Sequence, residues 1–198
     1  MSIQTEPDDL KAQRVTDRHA TLRLRKPLPG DVDARVTYGF STEIRRMYGY
    51  VGDTPKTMTR AFAKRWLKQL EAHPCAWVIE TGEGAVGEAR LDNINKTDRR
   101  ARLAIGLFSE RHLGLGLGRD AIKLVLRHAF GDLGLHRVDL RVLSYNVRAI
   151  RCYEACGFVR EGVERESANV GGQWHDDWIM AILAQDFLNT TGHGSNVG

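Results

Sequence analysis

The sequence predicts an α/β (α+β) domain in which a sheet of about six to seven strands is flanked by helices. Three observations carry this. Short segments alternate or run apolar in the manner of strands, as in Leu22 and Leu24 against Arg23 and Arg25, Ala85 to Leu91, and His136 to Leu143. Paired glycines between such segments, Gly82-Glu83-Gly84 and Gly171-Gly172, are hairpin signals. Helical periodicity runs through Phe62, Trp66, Leu67 and Leu70, and again through Ile122, Val125, Leu126 and Phe130.

Taken in order, Met1 to Arg18 reads as a polar flexible arm and Thr21 to Pro27 as the first strand. Pro29-Gly30-Asp31 turns the chain, with Asp31 able to cap a helix over Val32 to Phe40. Ser41 to Lys56, carrying Tyr48, Gly49, Tyr50, Gly52 and Pro55, reads as a loop-like insert before a helix over Thr57 to Ala72. Cys75 to Thr81 and Ala85 to Leu91 are the second and third strands, Asp92 to Asp98 a polar turn, and Arg99 to Phe108 the fourth strand. A glycine loop leads into a long helix over Gly118 to Gly131. Strand five, a short helix containing Arg148 to Tyr153, strand six (Phe158 to Glu164) and a last strand (Gln173 to Leu183) follow. Asn189 to Gly198 is polar and glycine-rich and reads as disordered. The expected organisation is an arm over 1–18, one domain over 19–187 and a tail over 188–198.

The bulk numbers narrow the function classes. A chain of 198 residues with 42% hydrophobic content supports one cored domain. No run approaches the ~20 apolar residues of a membrane span, and Met1 to Arg18 lacks the apolar centre of a signal peptide, so a cytoplasmic location is expected. Cys152 and Cys156 lack metal-ligand partners nearby, and with Cys75 they read as reduced thiols, with no metal expected. The net charge of +4 comes from scattered Lys and Arg, which speaks against nucleic acid and suits a polyanionic small molecule.

Such a molecule has an obvious place to bind. Gly114, Gly116 and Gly118 alternate directly before the long helix, in Arg111-His-Leu-Gly-Leu-Gly-Leu-Gly-Arg-Asp-Ala121. Glycine permits positive φ and close backbone approach. The free N–H groups and dipole of the helix start then form an anion site. The spacing is neither the G-x-G-x-x-G of dinucleotide folds nor a Walker loop. Downstream come Ser144-Tyr145-Asn146, a short helix with Tyr153, and Cys156-Gly157-Phe158, with Gly157 at the expected C-cap.

This order of motifs resembles the GCN5-related N-acetyltransferases (the GNAT family) over roughly Thr21 to Phe187. The family signature pairs a loop of the form Q/R-x-x-G-x-G/A with a downstream Asn, a short Tyr-bearing helix and a Gly-Phe. The resemblance implies a mixed, mostly antiparallel, splayed sheet and direct acetyl transfer from acetyl-CoA to an amine. It implies that Leu113, Gly114, Leu115, Gly116, Leu117, Gly118 and Arg119 hold the CoA pyrophosphate. It places a backbone N–H near Leu107 and Phe108 on the thioester carbonyl. Asn146 falls at a position that contacts the pantetheine arm, a role compatible with an ordinary helix cap. Tyr153 becomes the general acid for the leaving thiolate.

Two departures stand out. The Q/R position falls on Leu113 if Gly116 and Gly118 are matched to the motif, or on Arg111 if Gly114 and Gly116 are. Many members that acetylate protein N-termini carry a Glu before the Ile-Gly of the fourth strand, where this chain has Ala104. A base must come from elsewhere. Glu88 is the first candidate and Asp92 the second, with His175, Asp176 and Asp177 as further possibilities; for each carboxylate an ordinary solvated charge is the alternative. The acceptor expected is a small cationic molecule, because Glu43, Tyr48, Tyr50, Asp53, Glu88, Asp92, Trp174 and Asp176 offer carboxylates and aromatic faces for ammonium groups. An aminoglycoside of the kind modified by kasugamycin 2′-N-acetyltransferases is the first expectation. A polyamine or a protein N-terminus is the alternative. By family analogy, a homodimer through the C-terminal strands is also expected.

Overall fold

The structure, a computed structural model, describes residues 22–50 and 57–192. The arm expected over Met1 to Arg18 and the candidate Asp53 lie outside the described residues. The elements are β1 (Arg23–Arg25), α1 (Asp31–Tyr38), α2 (Thr42–Met47), α3 (Arg60–Ala72), β2 (Ala76–Thr81), β3 (Gly84–Asn95) and β4 (Arg100–Leu107). After a 3-10 turn at Glu110–His112 come α4 (Leu117–Arg127), a π turn at His128–Asp132, β5 (Arg137–Leu143), α5 (Val147–Glu154), β6 (Val159–Val170), β7 (Gln173–Leu183) and α6 (Ala184–Gly192).

One seven-stranded sheet runs in the order β1-β2-β3-β4-β5-β7-β6. Every pairing is antiparallel except β4 with β5. That parallel pairing is brief: only Arg100–Arg102 pair with Arg137–Asp139. The Arg102 guanidinium donates to Asp139 at 2.8 Å across the last paired position and clips the fork there. Beyond it the strands part.

Two layers cover the sheet. On one face α4 buries Leu117, Ala121, Ile122, Leu124, Val125 and Leu126 against Ala89, Leu91, Ala101, Leu103, Val138 and Leu140 in the main core. On the other face α1 and α3 cover Ala76, Val78, Ala85 and Phe108 through Ala34, Tyr38, Trp66 and Leu70. The alternation of the strands sorts these residues: Ala104, Gly106 and Phe108 share the α1/α3 face with Glu88, which pairs with Gly106.

Four expectations need correction. The expected loop over Ser41 to Lys56 contains a helix, α2, because Ser41 Oγ accepts the Ile44 N–H and caps it. The polar turn expected from Asp92 belongs to β3 as far as Asn95, and β6 runs on to Val170, each opposite a long partner strand. The chain is helical from Ala184 to Gly192, where a disordered tail was expected from Asn189; Phe187 anchors this helix, buried beside Phe130 at 5.5 Å.

Candidate active site

The fork between β4 and β5 opens a cleft of about 800 Å³. Its position follows from hydrogen bonding. Phe108 N–H donates to Val86 C=O on β3 at 2.9 Å. In an antiparallel ladder the neighbouring residue points the opposite way, so Leu107 N–H and Ile105 C=O face the fork. The Tyr48 hydroxyl donates to Ile105 C=O. Phe108 was expected to share the thioester contact with Leu107. Its N–H is instead engaged in the ladder and its side chain is buried on the α1/α3 face.

The glycine loop forms one end of the cleft. Gly114 and Gly116 have φ of +76° and +84°, a conformation that side chains with a Cβ rarely adopt, and a Cβ at either would meet nothing within 4 Å. Backbone conformation, not crowding, is therefore the reason for glycine at these two positions. Gly116 caps α4 with no side-chain hydrogen bond, so the first N–H groups of the helix are left for a ligand. Leu113, Gly114, Gly116, Leu117, Gly118 and Arg119 line the cleft; Leu115 stands outside the lining. Arg141, Arg148 and Arg151 add positive charge and Asp177 the one negative charge among the described lining residues. Arg141 is paired with Glu164 at 2.6 Å and Arg148 with Glu43 at 3.6 Å. Among the described residues Arg119 and Arg151 have no carboxylate within salt-bridge range, so they are free to meet phosphates. These arginines, α4's N–H groups and the glycine turn fit a polyanionic nucleotide cofactor.

Asn146 and Tyr153 complete the opposite wall. Asn146 does cap α5: its Oδ1 accepts the Ala149 N–H at 3.2 Å, while its Nδ2 donates to Met47 C=O at 3.3 Å and ties α5 to α2. Tyr153 stacks edge-on to Phe158, with centroids 5.8 Å apart. Its hydroxyl makes no hydrogen bond among the described residues. Burial, with the nearby Tyr48, Cys152 and Cys156, pushes its pKa well above the ordinary tyrosine range. Cys152 also lines the cleft, and a hydrogen bond with Cys156 lowers its thiol. All three cysteines are free thiols.

The proposed acidic residues are dispersed. Glu88 lies on the α1/α3 face beside Gly106, receiving the Trp66 indole N–H and Arg90 Nη1 at 3.2 Å. Asp92 sits farther along β3, bound by Arg90 Nε at 2.9 Å and facing His73 Nε2 at 3.1 Å. Glu43 faces Arg46 and Arg148. Asp176 accepts the Glu166 N–H at 2.8 Å, and Trp174 is 60% exposed on β7. None of these five lines the cleft, whereas Tyr48 does. Tyr48 also explains Gly106: a Cβ there would collide with its hydroxyl. Sequence reasoning missed Ile44, Met47, His112, Arg141, Arg148 and Arg151 as site residues, because nothing local marks them and only the fold gathers them.

Comparisons with known proteins agree with this geometry. Residues 21–159 match the family model described as the acetyltransferase (GNAT) domain. Spermidine N(1)-acetyltransferase of Vibrio cholerae is 34% identical over 114 residues, which is 57% of this chain and 65% of that protein. The spermidine N(1)-acetyltransferase of Escherichia coli K12 is 31% identical over 112 residues, 57% of this chain and 60% of that protein. The matched stretch thus spans 60% to 65% of the length of these two curated relatives. A crystal structure of the Vibrio cholerae spermidine N-acetyltransferase with CoA and spermine superposes with a TM-score of 0.71 at 26% identity, covering 85% of this chain and 98% of that one.

Proposed function

This chain belongs to the GNAT acetyltransferase family, and from that premise we propose that it transfers an acetyl group from acetyl-CoA directly to the primary amine of a small molecule. The observation that carries the proposal is the fork itself. It sets an outward-facing Leu107 N–H, the uncapped start of α4 and the unengaged Tyr153 hydroxyl around one cleft. Acetyl-CoA supplies the activated thioester; the residues supply the rest. The α4 N–H groups with Arg119 and Arg151 hold the phosphates. Leu107 N–H donates to the carbonyl oxygen as negative charge develops on it. The amine nitrogen bonds to the carbonyl carbon, the C–S bond breaks, and Tyr153 hydrogen-bonds the departing sulfur. A phenol held above its usual pKa keeps its proton through the neutral range but is a weaker acid, so Tyr153 acts on sulfur only as charge accumulates there. Tyr153 gives its proton to the departing sulfur, so CoA leaves as the thiol; the proton lost by the amine passes through water to Glu88, which stands beside Gly106 outside the cleft lining, and the phenolate recovers a proton through water.

For the acceptor, the expected aminoglycoside has no counterpart among the relatives reported above. Those relatives are spermidine acetyltransferases, which supports a polyamine as the second reading. A homodimer and a cytoplasmic site of action belong to the same proposal. β6 is one of the two outer strands of the sheet and exposes Val159 and Val163, which supports a second copy as partner. The testing experiment is a thiol-release assay with acetyl-CoA against polyamines, aminoglycosides, amino acids and N-terminal peptides. Turnover on a small amine is expected. Turnover restricted to peptides would transfer the activity to proteins, and thioester consumption with no amine tested would remove the reading.

A further inference from the structure

On the acetyltransferase reading given above, we propose that the acceptor carries a carboxylate as well as its amine, and that Arg35 and Arg45 bind that carboxylate while Glu88 and Tyr48 face the amine. The acceptor class is then an amino acid or similar amphoteric amine, not a polycation.

The observations lie on the α1/α3 face, next to the fork. The Arg35 guanidinium sits over the rings of Phe108, at 4.8 Å, and Phe40, at 5.7 Å. Arg45 sits over Phe40 at 4.9 Å and Tyr50 at 5.3 Å. The two guanidiniums therefore share one aromatic ring. Arg35 Nη1 donates to Gly39 C=O. Among the described residues neither guanidinium has a carboxylate within 4.0 Å, and the Nε of each is buried without a hydrogen-bond partner. A half-buried cation with an unmet donor is costly unless an anion meets it. A guanidinium fork matches a carboxylate in shape and charge. Desolvation lowers the Arg35 pKa and the charge of Glu88 only partly opposes it, consistent with a cation that has no counter-charge in contact.

The neighbours connect this pair to the chemistry. Trp66 stands edge-on to Phe108 at 5.5 Å and donates its indole N–H to Glu88. Glu88 pairs across β3–β4 with Gly106, over which the Tyr48 hydroxyl sits. Aromatic walls thus join an acidic pole at Glu88 to a basic pole at Arg35 and Arg45. The charges do not suit a polycation. Around Glu88, among the described residues, the three guanidiniums of Arg35, Arg45 and Arg90 stand against the two carboxylates of Glu88 and Asp92, a surplus of one positive charge. An excess of positive charge repels spermidine-like ligands and attracts an acid.

Matched pairs that differ only by the carboxylate test this: ornithine against putrescine and lysine against cadaverine, with acetyl-CoA and the full-length protein. The expected result is a kcat/KM higher by about tenfold or more for the amino acid of at least one pair, as for a charged hydrogen bond. Arg35→Gln and Arg45→Gln should raise KM for the amino acid by about 10- to 100-fold with kcat changed far less, so that the preference within the pair collapses. Arg35→Lys, which keeps the charge and the stem over Phe108, should retain part of it and guards against a folding defect in the Gln variant. Preference for the decarboxylated member, or equal KM effects of the variants on both members, would overturn the carboxylate site while leaving the acetyltransferase reading intact. Failure of acetyl-CoA turnover with every amine would overturn both.

Discussion

At the scale of single residues, Tyr153 is where chemistry and environment are most closely joined. It lines the cleft, its hydroxyl has no hydrogen-bond partner among the described residues, and burial raises its pKa. Tyr153→Phe should lower kcat on the order of a hundredfold, while acetyl-CoA affinity, measured by calorimetry, stays within about twofold, since the phosphates are held elsewhere. The sign of the shift sets the pH behaviour. A raised phenol stays protonated beyond the ordinary tyrosine value of about 10, so Tyr153 should impose no fall in rate at or below that pH. An alkaline loss of activity that the Phe variant abolishes would contradict this. Glu88→Gln should cut kcat/KM for the amine about tenfold and leave the KM for acetyl-CoA unchanged; equal rates would remove Glu88 from proton transfer. Tyr153, Asn146 and the glycines were legible because each is tied to a short linear motif. Arg35 and Arg45 were not, since isolated arginines carry no signal until α1 and α2 bring them to one phenyl ring.

At the scale of elements, the loop entering α4 is the part that the proposed reading gives to cofactor binding, through its backbone conformation. Gly116→Ala forces a Cβ onto a φ of +84° and should cost about 1 kcal/mol in stability. It should also raise the KM for acetyl-CoA several-fold by turning the helix N–H groups away. Gly162, in β6, has ordinary φ and open space around it, so Gly162→Ala is the matched control and should change neither. Thermal melts together with acetyl-CoA titrations separate the two effects. The strand and helix periods told where most elements lie. They could not show α2, whose six residues bury no side chain and present no apolar stripe; its cap and its contacts with Tyr145 and Asn146 place it.

At the scale of the whole molecule, one buried network joins the start of the chain's described part to the sheet. Arg25 donates to both oxygens of Asp31, at 2.8 and 2.7 Å, and to Glu80 at 2.7 Å, linking β1, the first turn of α1 and β2. Burial alone would raise the Glu80 carboxyl, but hydrogen bonds from Arg25 and Arg23 outweigh it and hold the pKa below the usual carboxylate range. Its stabilising contribution is therefore complete above that range and is lost as pH falls through the depressed value. The Tm should drop as acid approaches and passes pH ~4, and Glu80→Gln should flatten that part of the profile; an unchanged slope would place the acid sensitivity elsewhere. The sequence by itself determined the alternation of strands and helices, the glycine loop before α4 and the place of Tyr153 on α5, because these depend on local periods and on glycine's access to positive φ. Tertiary structure alone decided that β4 and β5 part after Arg102, that Leu107 and not Phe108 offers its N–H to the fork, and that the acidic candidates are largely neutralised by arginines. Those outcomes depend on pairing register and on contacts between segments far apart in the chain, which no local pattern encodes.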